Sequence, residues 1–91
     1  MLADTSTRVY SKDELRNMSS YDLWIARNEL FARHGRGFSD PTLQEYFNNK
    51  SWYTRQYSPE EWDATQSLSG VEAQNAANMV AVEEERHSEY L

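Results

Sequence analysis

The sequence of 91 residues contains no cysteine. A chain without thiols forms neither disulfide bonds nor thiolate metal sites, so these two ways of stabilising a small fold are excluded. The redox compartment stays open, because many exported proteins also lack cysteine. The two histidines, His34 and His87, lie far apart and have none of the spacings that bind zinc. We therefore expect no metal site and no cofactor.

Long apolar runs and an excess of positive charge are also missing. No run of about 18 apolar residues occurs, so we expect no membrane insertion. The first residues lack the basic and apolar regions of a signal peptide, so an exported protein would have lost its signal. Nine Lys and Arg against fifteen Asp and Glu leave a net charge of −6, which repels nucleic acid and anionic lipid.

A local exception to this charge balance is a set of basic and aromatic residues, the combination that stacks single-stranded bases. Its members are Arg33, Arg36, Trp52, Tyr53 and Arg55. Because the overall charge opposes phosphate binding, we expect no nucleic-acid partner.

Aromatic residues make up 13% of the chain, although only 38% of it is hydrophobic. Each buried aromatic side chain removes roughly 150 to 250 Å² from water, so aromatics are expected to form the core. A chain of this length makes one domain. No alternation of polar and apolar residues is long enough to predict a strand, so the fold class is all-α. We expect a compact single domain of about five short helices around an aromatic core.

Signals for helix starts recur along the chain. Each consists of a capping Ser or Asp, followed by Glu three residues later or by Pro at the first helical position. The predicted caps are Ser11, Ser19 or Ser20, Asp40, Ser58 and Ser69, with Glu14, Glu61 and Glu72 as capping-box partners. These signals divide the chain into a disordered lead (1–9), a helical domain (10–82) and an acidic helix end or tail (83–91) that is solvated.

The stretch Trp24–Gly37 organises the prediction. On a helix, Leu23, Trp24, Leu30 and Phe31 share one stripe, with Arg27 and His34 at its centre. A charged side chain on an apolar stripe needs a partner within the fold, because an unpaired buried charge is strongly destabilising.

The last predicted helix has polar residues on its own apolar stripe. That stripe comprises Val71, Asn75, Asn78, Met79 and Val82, and Glu72 flanks it. We expect the central helix to pack on this one, with Arg27 paired to Glu72 and Asn75 alongside. The predicted structural network is Arg27, Asn28, Glu72 and Asn75. One competing use exists, because Glu72 is also the expected capping-box partner of Ser69.

The exit of the central helix is a candidate binding site for an anion or another ligand. Arg33, His34 and Arg36 cluster there, and the glycines Gly35 and Gly37 permit close approach to the backbone. The negative end of the helix dipole opposes an anion, so Arg33 and His34 have a second interpretation as charges that complement the dipole.

Catalytic patterns are absent from the sequence. It has no nucleophile elbow, and His34 and Glu29 fall on different faces of one helix. We therefore expect no enzymatic activity and assign no catalytic residue.

The run Arg27–Gly35 is followed by spaced aromatic and aliphatic residues, namely Phe38, Leu43, Tyr46, Phe47, Trp52 and Tyr53. This pattern resembles the YARHG domain, a small bacterial module named after its central motif. The resemblance extends from about Tyr10 to Val82, and Glu72 with Asn75 looks like the family's closing Glu-x-x-Asn element. Phe31 stands where the family has Tyr, so a packing role carries over but a role for the phenolic hydroxyl does not.

The resemblance implies an extracellular or periplasmic domain without established enzymatic activity. We therefore expect a non-catalytic interaction module of the bacterial cell envelope that binds an envelope polymer or a protein partner. The alternative from another class is an intracellular helical domain that couples neighbouring domains, and a small enzyme comes third.

Overall fold

A computed structural model describes residues 4–90. Within that range it contains five α-helices and confirms the all-α prediction. They are α1 (Lys12–Leu15), α2 (Ser20–Ala32), α3 (Pro41–Asn48), α4 (Pro59–Thr65) and α5 (Gly70–Glu85). Outside the helices, Arg36 and Tyr57 form an isolated parallel bridge that holds the exit of α2 to the segment before α4.

The five helices described all begin at the predicted caps, and four of these caps form hydrogen bonds through their side chains. The capping side chains are Ser11, Ser19, Asp40 and Ser58, and each accepts a hydrogen bond from a backbone amide in the first turn of its helix. Glu14 and Glu61 complete their capping boxes as expected. Arg8 also donates to Glu14 and holds the pKa of that carboxyl at about 2, below its ordinary 4.5. Local capping chemistry therefore places most of the helix starts.

The fifth helix begins at the predicted residue, but the expected capping box between Ser69 and Glu72 does not form. Ser69 precedes α5 but makes no capping hydrogen bond through its side chain. The expected partner, Glu72, instead accepts hydrogen bonds from His34 and Ser6. One carboxylate has limited geometry for several donors, and here tertiary contacts replace the capping box.

Helix α2 lies between two apolar clusters. Its residues Trp24, Ile25 and Ala32 belong to an aromatic cluster, which is completed by Phe38, Leu43, Phe47 and Tyr53. Its residues Leu23, Ala26 and Leu30 belong to an aliphatic cluster, which is completed by Leu15, Met79 and Val82. The sequence predicts one apolar stripe on α2, but the helix is buried on two sides. Leu23 packs in the aliphatic cluster, and the next residue, Trp24, packs in the aromatic cluster.

Helix α5 packs antiparallel on α2, which confirms the expected pairing of the central and C-terminal helices. Arg27 contacts Glu83 near the end of α5, and His34, further along α2, contacts Glu72 near its beginning. The two helices therefore run in opposite directions. Helix α1 also packs on α5, and α3 packs on α2.

The residues that precede α1 differ from the prediction of a disordered lead. Residues 4–7 form a turn, Thr5 is only 1% exposed, and its carbonyl accepts a hydrogen bond from Asn75. The physical reason is that the buried Asn75 of α5 and the partly buried Arg33, directly after α2, bind this segment. Residues 1–3 of the predicted lead lie outside the described residues.

The predicted acidic tail also needs correction at its first residue. Helix α5 runs to Glu85, and Glu83 is fully buried although we expected it in solvent. Its burial is compensated by an ion pair with Arg27. Leu91, at the other end of the predicted tail, lies outside the described residues.

Candidate functional site

Arg27 lies where α2 meets α5 and is paired within the fold, as a charge on a buried stripe requires. Its Nε donates to Glu83 Oε1 at 2.7 Å, and its Nη2 donates to Glu83 Oε2 at 3.2 Å. The Arg27 side chain is 18% exposed and that of Glu83 is 0% exposed. The expected pair between Arg27 and Glu72 is therefore wrong, because Glu72 lies beside a different turn of α2.

Glu72 joins the exit of α2 to the N-terminal segment. His34 Nε2 lies 2.8 Å from Glu72 Oε1, and Ser6 Oγ donates to Glu72 Oε2 at 2.8 Å. The Glu72 side chain is mostly buried, whereas about half of His34 is exposed. Glu72 thus contributes to a polar network at this helix pair, with His34 and Ser6 as its partners.

Asn75 is fully buried and binds the backbone of the N-terminal segment at three points. Its Nδ2 donates to the carbonyls of Thr5 and Arg8, both at 2.8 Å, and its Oδ1 accepts from the amide of Tyr10 at 2.7 Å. Asn78 adds a fourth bond by donating to the Tyr10 carbonyl at 2.9 Å. The two asparagines of the α5 stripe therefore hold residues 5–10 against the helix.

Asn28 does not join these residues. Its Nδ2 donates to the carbonyl of Trp24, one turn earlier on α2, at 2.9 Å. The predicted network of Arg27, Asn28, Glu72 and Asn75 is thus divided among separate sets of contacts, because each residue faces a different neighbour.

Arg33 is one of the three residues predicted to bind a ligand, and it contacts both its own helix and the N-terminal segment. Its Nη2 donates to Glu29 Oε2 at 2.6 Å, and its Nη1 donates to Thr5 Oγ1 at 2.5 Å and to Ser6 Oγ at 3.2 Å. Its side chain is 21% exposed. Arg33 and Asn75 therefore bind Thr5 from two helices.

Arg36, the second predicted ligand-binding arginine, points toward α4. Its Nε and Nη2 donate to the two carboxylate oxygens of Asp63, at 3.0 and 3.2 Å. The guanidinium also lies over the rings of Phe31 and Phe38, 5.6 and 5.4 Å from their centroids, within the range of a cation–π contact. Phe31 in turn meets Trp62 edge-on at 5.2 Å. The motif residue at position 31 therefore acts through its ring.

Each of the three side chains of the predicted ligand site thus faces a carboxylate of the same chain. Glu29 neutralises Arg33, Asp63 neutralises Arg36, and Glu72 accepts from His34. A bound anion would have to compete with these carboxylates. Binding of a ligand by Arg33, His34 and Arg36 stays a prediction.

Gly35 ends α2 in the left-handed conformation expected for it, with φ of +84°. Its amide donates to the Ala32 carbonyl at 3.0 Å, and the next amide, of Arg36, donates to the Phe31 carbonyl at 3.3 Å. This pair of bonds is the Schellman motif. The Gly35 carbonyl accepts from the amides of Gln56 and Tyr57, at 2.8 and 3.0 Å. The motif glycine therefore turns the chain and also anchors the segment that precedes α4.

Replacing Gly35 by Ala is expected to cost more stability than replacing Gly70 by Ala. Both positions have positive φ, which costs a residue with a Cβ roughly 1 to 2 kcal/mol. A Cβ at Gly35 would also lie 2.9 Å from Gln56 Cβ, whereas no described atom lies within 4 Å of one at Gly70. Denaturant unfolding should show a loss of about 1 kcal/mol for Gly70→Ala and clearly more for Gly35→Ala. Equal losses would show that the close approach of Gln56 is unimportant.

The carboxylates that pair with Arg27 and Arg36 were not identified from the sequence; they are Glu83 and Asp63. Glu83 was assigned to a solvated tail, and Asp63 was assigned no role. A signal for Glu83 was present, because it lies 11 residues after Glu72 and therefore on nearly the same face of α5. Asp63 had no such signal, because its contact with Arg36 depends on the path of the loop between α3 and α4.

Two further findings concern residues 4–90. They contain no group of three or more His, Asp or Glu side chains arranged to hold a metal ion. In the same range, no helix combines the length and the apolar character that crossing a bilayer requires.

Comparison with known proteins identifies one family. The family model described as "YARHG domain" matches residues 1–84. Comparisons with curated proteins and with solved structures found no match. The matched range contains the motif on α2, both asparagines of the α5 stripe and the N-terminal segment that they bind. Because the match covers nearly the whole chain, the protein belongs to the YARHG domain family.

Proposed function

We propose that this domain is a non-catalytic interaction module located outside the cytoplasm, where it binds a component of the bacterial cell envelope, either a wall polymer or a protein. The observation that carries the proposal is the exposure of Trp52. Its side chain is 48% exposed, while Trp24 and Trp62 are 8% and 3% exposed. Tryptophan is enriched among the residues that dominate the binding energy of interfaces.

The contacts that the motif residues form within the chain support a non-catalytic interaction module. Arg27, Arg33 and Arg36 form ion pairs within the chain, and His34 contacts Glu72. In this proposal these four residues mainly stabilise the fold. Binding at the α2 exit by Arg33, His34 and Arg36 remains a second possible site for the same module, where a ligand would have to displace carboxylates.

Sedimentation with purified peptidoglycan sacculi tests the wall-binding form of the proposal. We expect the domain to sediment with sacculi, and we expect Trp52→Ala to raise the Kd, measured over a range of sacculus concentrations, by about tenfold, the effect of a binding residue worth about 1.4 kcal/mol. A double variant, Arg33→Ala with Arg36→Ala, reports on the other site. Wild-type retention no higher than that of an unrelated folded protein would reject wall binding.

Location separates the proposal from the alternative of an intracellular coupling domain. The tagged full-length protein, expressed in its own host, should be recovered outside the cytoplasm after cell fractionation. Recovery only with cytoplasmic markers would reject the envelope proposal and favour the coupling domain.

A further inference from the structure

The basic side chains of the chain fall into two groups. Five arginines form ion pairs with carboxylates, namely Arg8, Arg16, Arg27, Arg33 and Arg36. The other four, Lys12, Lys50, Arg55 and Arg86, pair with no carboxylate in residues 4–90. Of these, Lys50 and Arg55 flank Trp52 in the sequence of the loop between α3 and α4. In a chain with a net charge of −6, the loop thus combines two cations that have no carboxylate partner with an exposed tryptophan.

The Trp52 ring packs against two buried aromatic rings. Its ring meets Phe47 at a centroid distance of 6.1 Å and Tyr53 at 6.2 Å, both in edge-to-face geometry. Phe47 is fully buried and Tyr53 is 8% exposed. The Tyr53 hydroxyl also donates to the Arg36 carbonyl at 2.8 Å, which fixes the loop to the exit of α2. The exposed part of Trp52 is therefore a supported ring, and little ordering is needed when a ligand stacks on it.

The two cations have weak contacts that leave their charge available. Lys50 Nζ lies 4.5 Å from the centroid of the Tyr46 ring. Arg55 Nη1 donates to Gln44 Oε1 at 3.4 Å, a long hydrogen bond to a neutral acceptor. Glu61 senses the charge of Arg55, but the pKa of Glu61 is lowered mainly by its hydrogen bonds with Ser58. Neither cation is therefore neutralised as the paired arginines are.

We propose that this surface, formed by Tyr46, Lys50, Trp52 and Arg55 and called the Trp52 surface below, binds an acidic polysaccharide. Trp52 stacks on the apolar face of a sugar ring, and Lys50 and Arg55 bind its carboxylate or phosphate groups. The inference rests on the proposed function, because it names the chemical class of the envelope component.

Charge complementarity decides between an acidic and a neutral ligand. A neutral glycan would use Trp52 but would gain little from two cations, whereas an acidic one satisfies both. The net negative charge of the remaining chain repels an anionic polymer from other faces, so Lys50 and Arg55 direct it to this one.

The test uses oligogalacturonate of defined length as an acidic probe and a neutral gluco-oligosaccharide of the same length as its match. Titrations followed by tryptophan fluorescence are expected to show binding of the acidic probe and at least tenfold weaker binding of the neutral one. Because salt screens ionic contacts, the affinity for the acidic probe should fall as the salt concentration is raised from 20 to 200 mM.

Variants assign the binding to named residues. Lys50→Gln and Arg55→Gln should each weaken binding several-fold and reduce its salt dependence, and Trp52→Ala should weaken it at least tenfold. Lys12→Gln is the matched control, since Lys12 is another exposed lysine and has no ion pair in the described chain. The melting temperature of each variant verifies that it is folded.

Several outcomes would overturn the inference. Equal affinity for the two oligosaccharides, no binding of either, or equal effects of Lys50→Gln and Lys12→Gln would each reject it. Tighter binding of a single-stranded oligonucleotide than of the acidic sugar would assign the surface to nucleic acid instead. Sedimentation with sacculi is a separate readout, so retention of the domain alongside any of these results would leave the proposed function standing while the acidic-sugar inference fails.

Discussion

Replacing Glu83 by Gln is expected to lower the free energy of unfolding by about 3 kcal/mol. The substitution keeps the shape of the side chain but removes its charge, which leaves the mostly buried guanidinium of Arg27 without a counter-ion. Breaking one partner of a buried ion pair costs more than losing an exposed pair, because the remaining charge stays desolvated. For a domain of this size, the loss corresponds to a fall in melting temperature of roughly 12 to 24 °C.

Thermal and denaturant unfolding of Glu83→Gln measures this effect. Glu84→Gln is the matched control, because Glu84 is the next residue of α5 but is exposed and forms no ion pair within residues 4–90. The control should change the free energy of unfolding by less than about 0.5 kcal/mol. Similar stabilities for the two variants would mean that the contact between Arg27 and Glu83 does not hold α2 to α5.

Replacing Asn75 by Ala is expected to lower the free energy of unfolding by about 3 kcal/mol and to release the N-terminal segment. Asn75 is fully buried and forms hydrogen bonds with Thr5, Arg8 and Tyr10. Alanine leaves these backbone groups without their partner, and each buried polar group left unsatisfied costs about 1 to 3 kcal/mol.

Amide hydrogen exchange separates this local effect from general destabilisation. The Tyr10 amide, which donates to Asn75 in the wild type, should exchange much faster in Asn75→Ala than amides in the middle of α2. Glu84→Ala, at an exposed position of the same helix without a contact to residues 5–10 of the N-terminal segment, is the control and should leave exchange at Tyr10 unchanged. Uniform acceleration along the whole chain would show that Asn75 has no specific role in holding the segment.

The helix starts could be predicted because they depend on neighbours in sequence. Ser11 and Ser58 lie three residues before Glu14 and Glu61, and the same spacing forms their capping boxes in the structure. Ser69 has the same spacing to Glu72, yet no box forms. The sequence could not show that His34 and Ser6, distant along the chain, would use that carboxylate.

The partner of Arg27 shows the limit of helical periodicity. Glu72 and Glu83 are separated by 11 residues, so they lie within about 20° of each other around α5 but about 16 Å apart along its axis. Helical periodicity predicts the face of α5 on which a residue lies, but it does not predict which residue of α2 lies opposite. Which of the two carboxylates meets Arg27 depends on the position of the helices along each other, and the aliphatic cluster, which α2 and α5 share, sets that position.

The N-terminal segment was missed for a related reason. Residues 1 to 8 are polar and show no periodicity, which is the pattern of a disordered segment. In the fold, residues 5–8 of this segment are held by hydrogen bonds from Asn75 to the carbonyls of Thr5 and Arg8, together with the contact between Arg33 and Thr5. Binding of backbone groups by distant side chains requires no apolar pattern, so the segment itself carried no signal.

The Trp52 surface could be anticipated only in part. The polar, turn-forming residues 48–51 predict that Trp52 and Tyr53 lie in or after a loop and are held by neighbouring helices. The difference in exposure between the two rings follows from the packing of Tyr53 against the exit of α2, which the local sequence does not encode. The lack of ion pairs at Lys50 and Arg55 depends equally on where the carboxylates of other segments lie.

The central claim is that the polar residues of the motif helix act mainly by holding the fold, and a double-mutant cycle tests it most directly. The cycle compares Arg27→Gln, Glu83→Gln and the double variant, with a second cycle in which Glu72→Gln replaces Glu83→Gln. We predict a coupling free energy of about 2 kcal/mol or more between Arg27 and Glu83, and less than about 0.5 kcal/mol between Arg27 and Glu72. A stronger coupling of Arg27 to Glu72 than to Glu83, or none to either, would contradict the account.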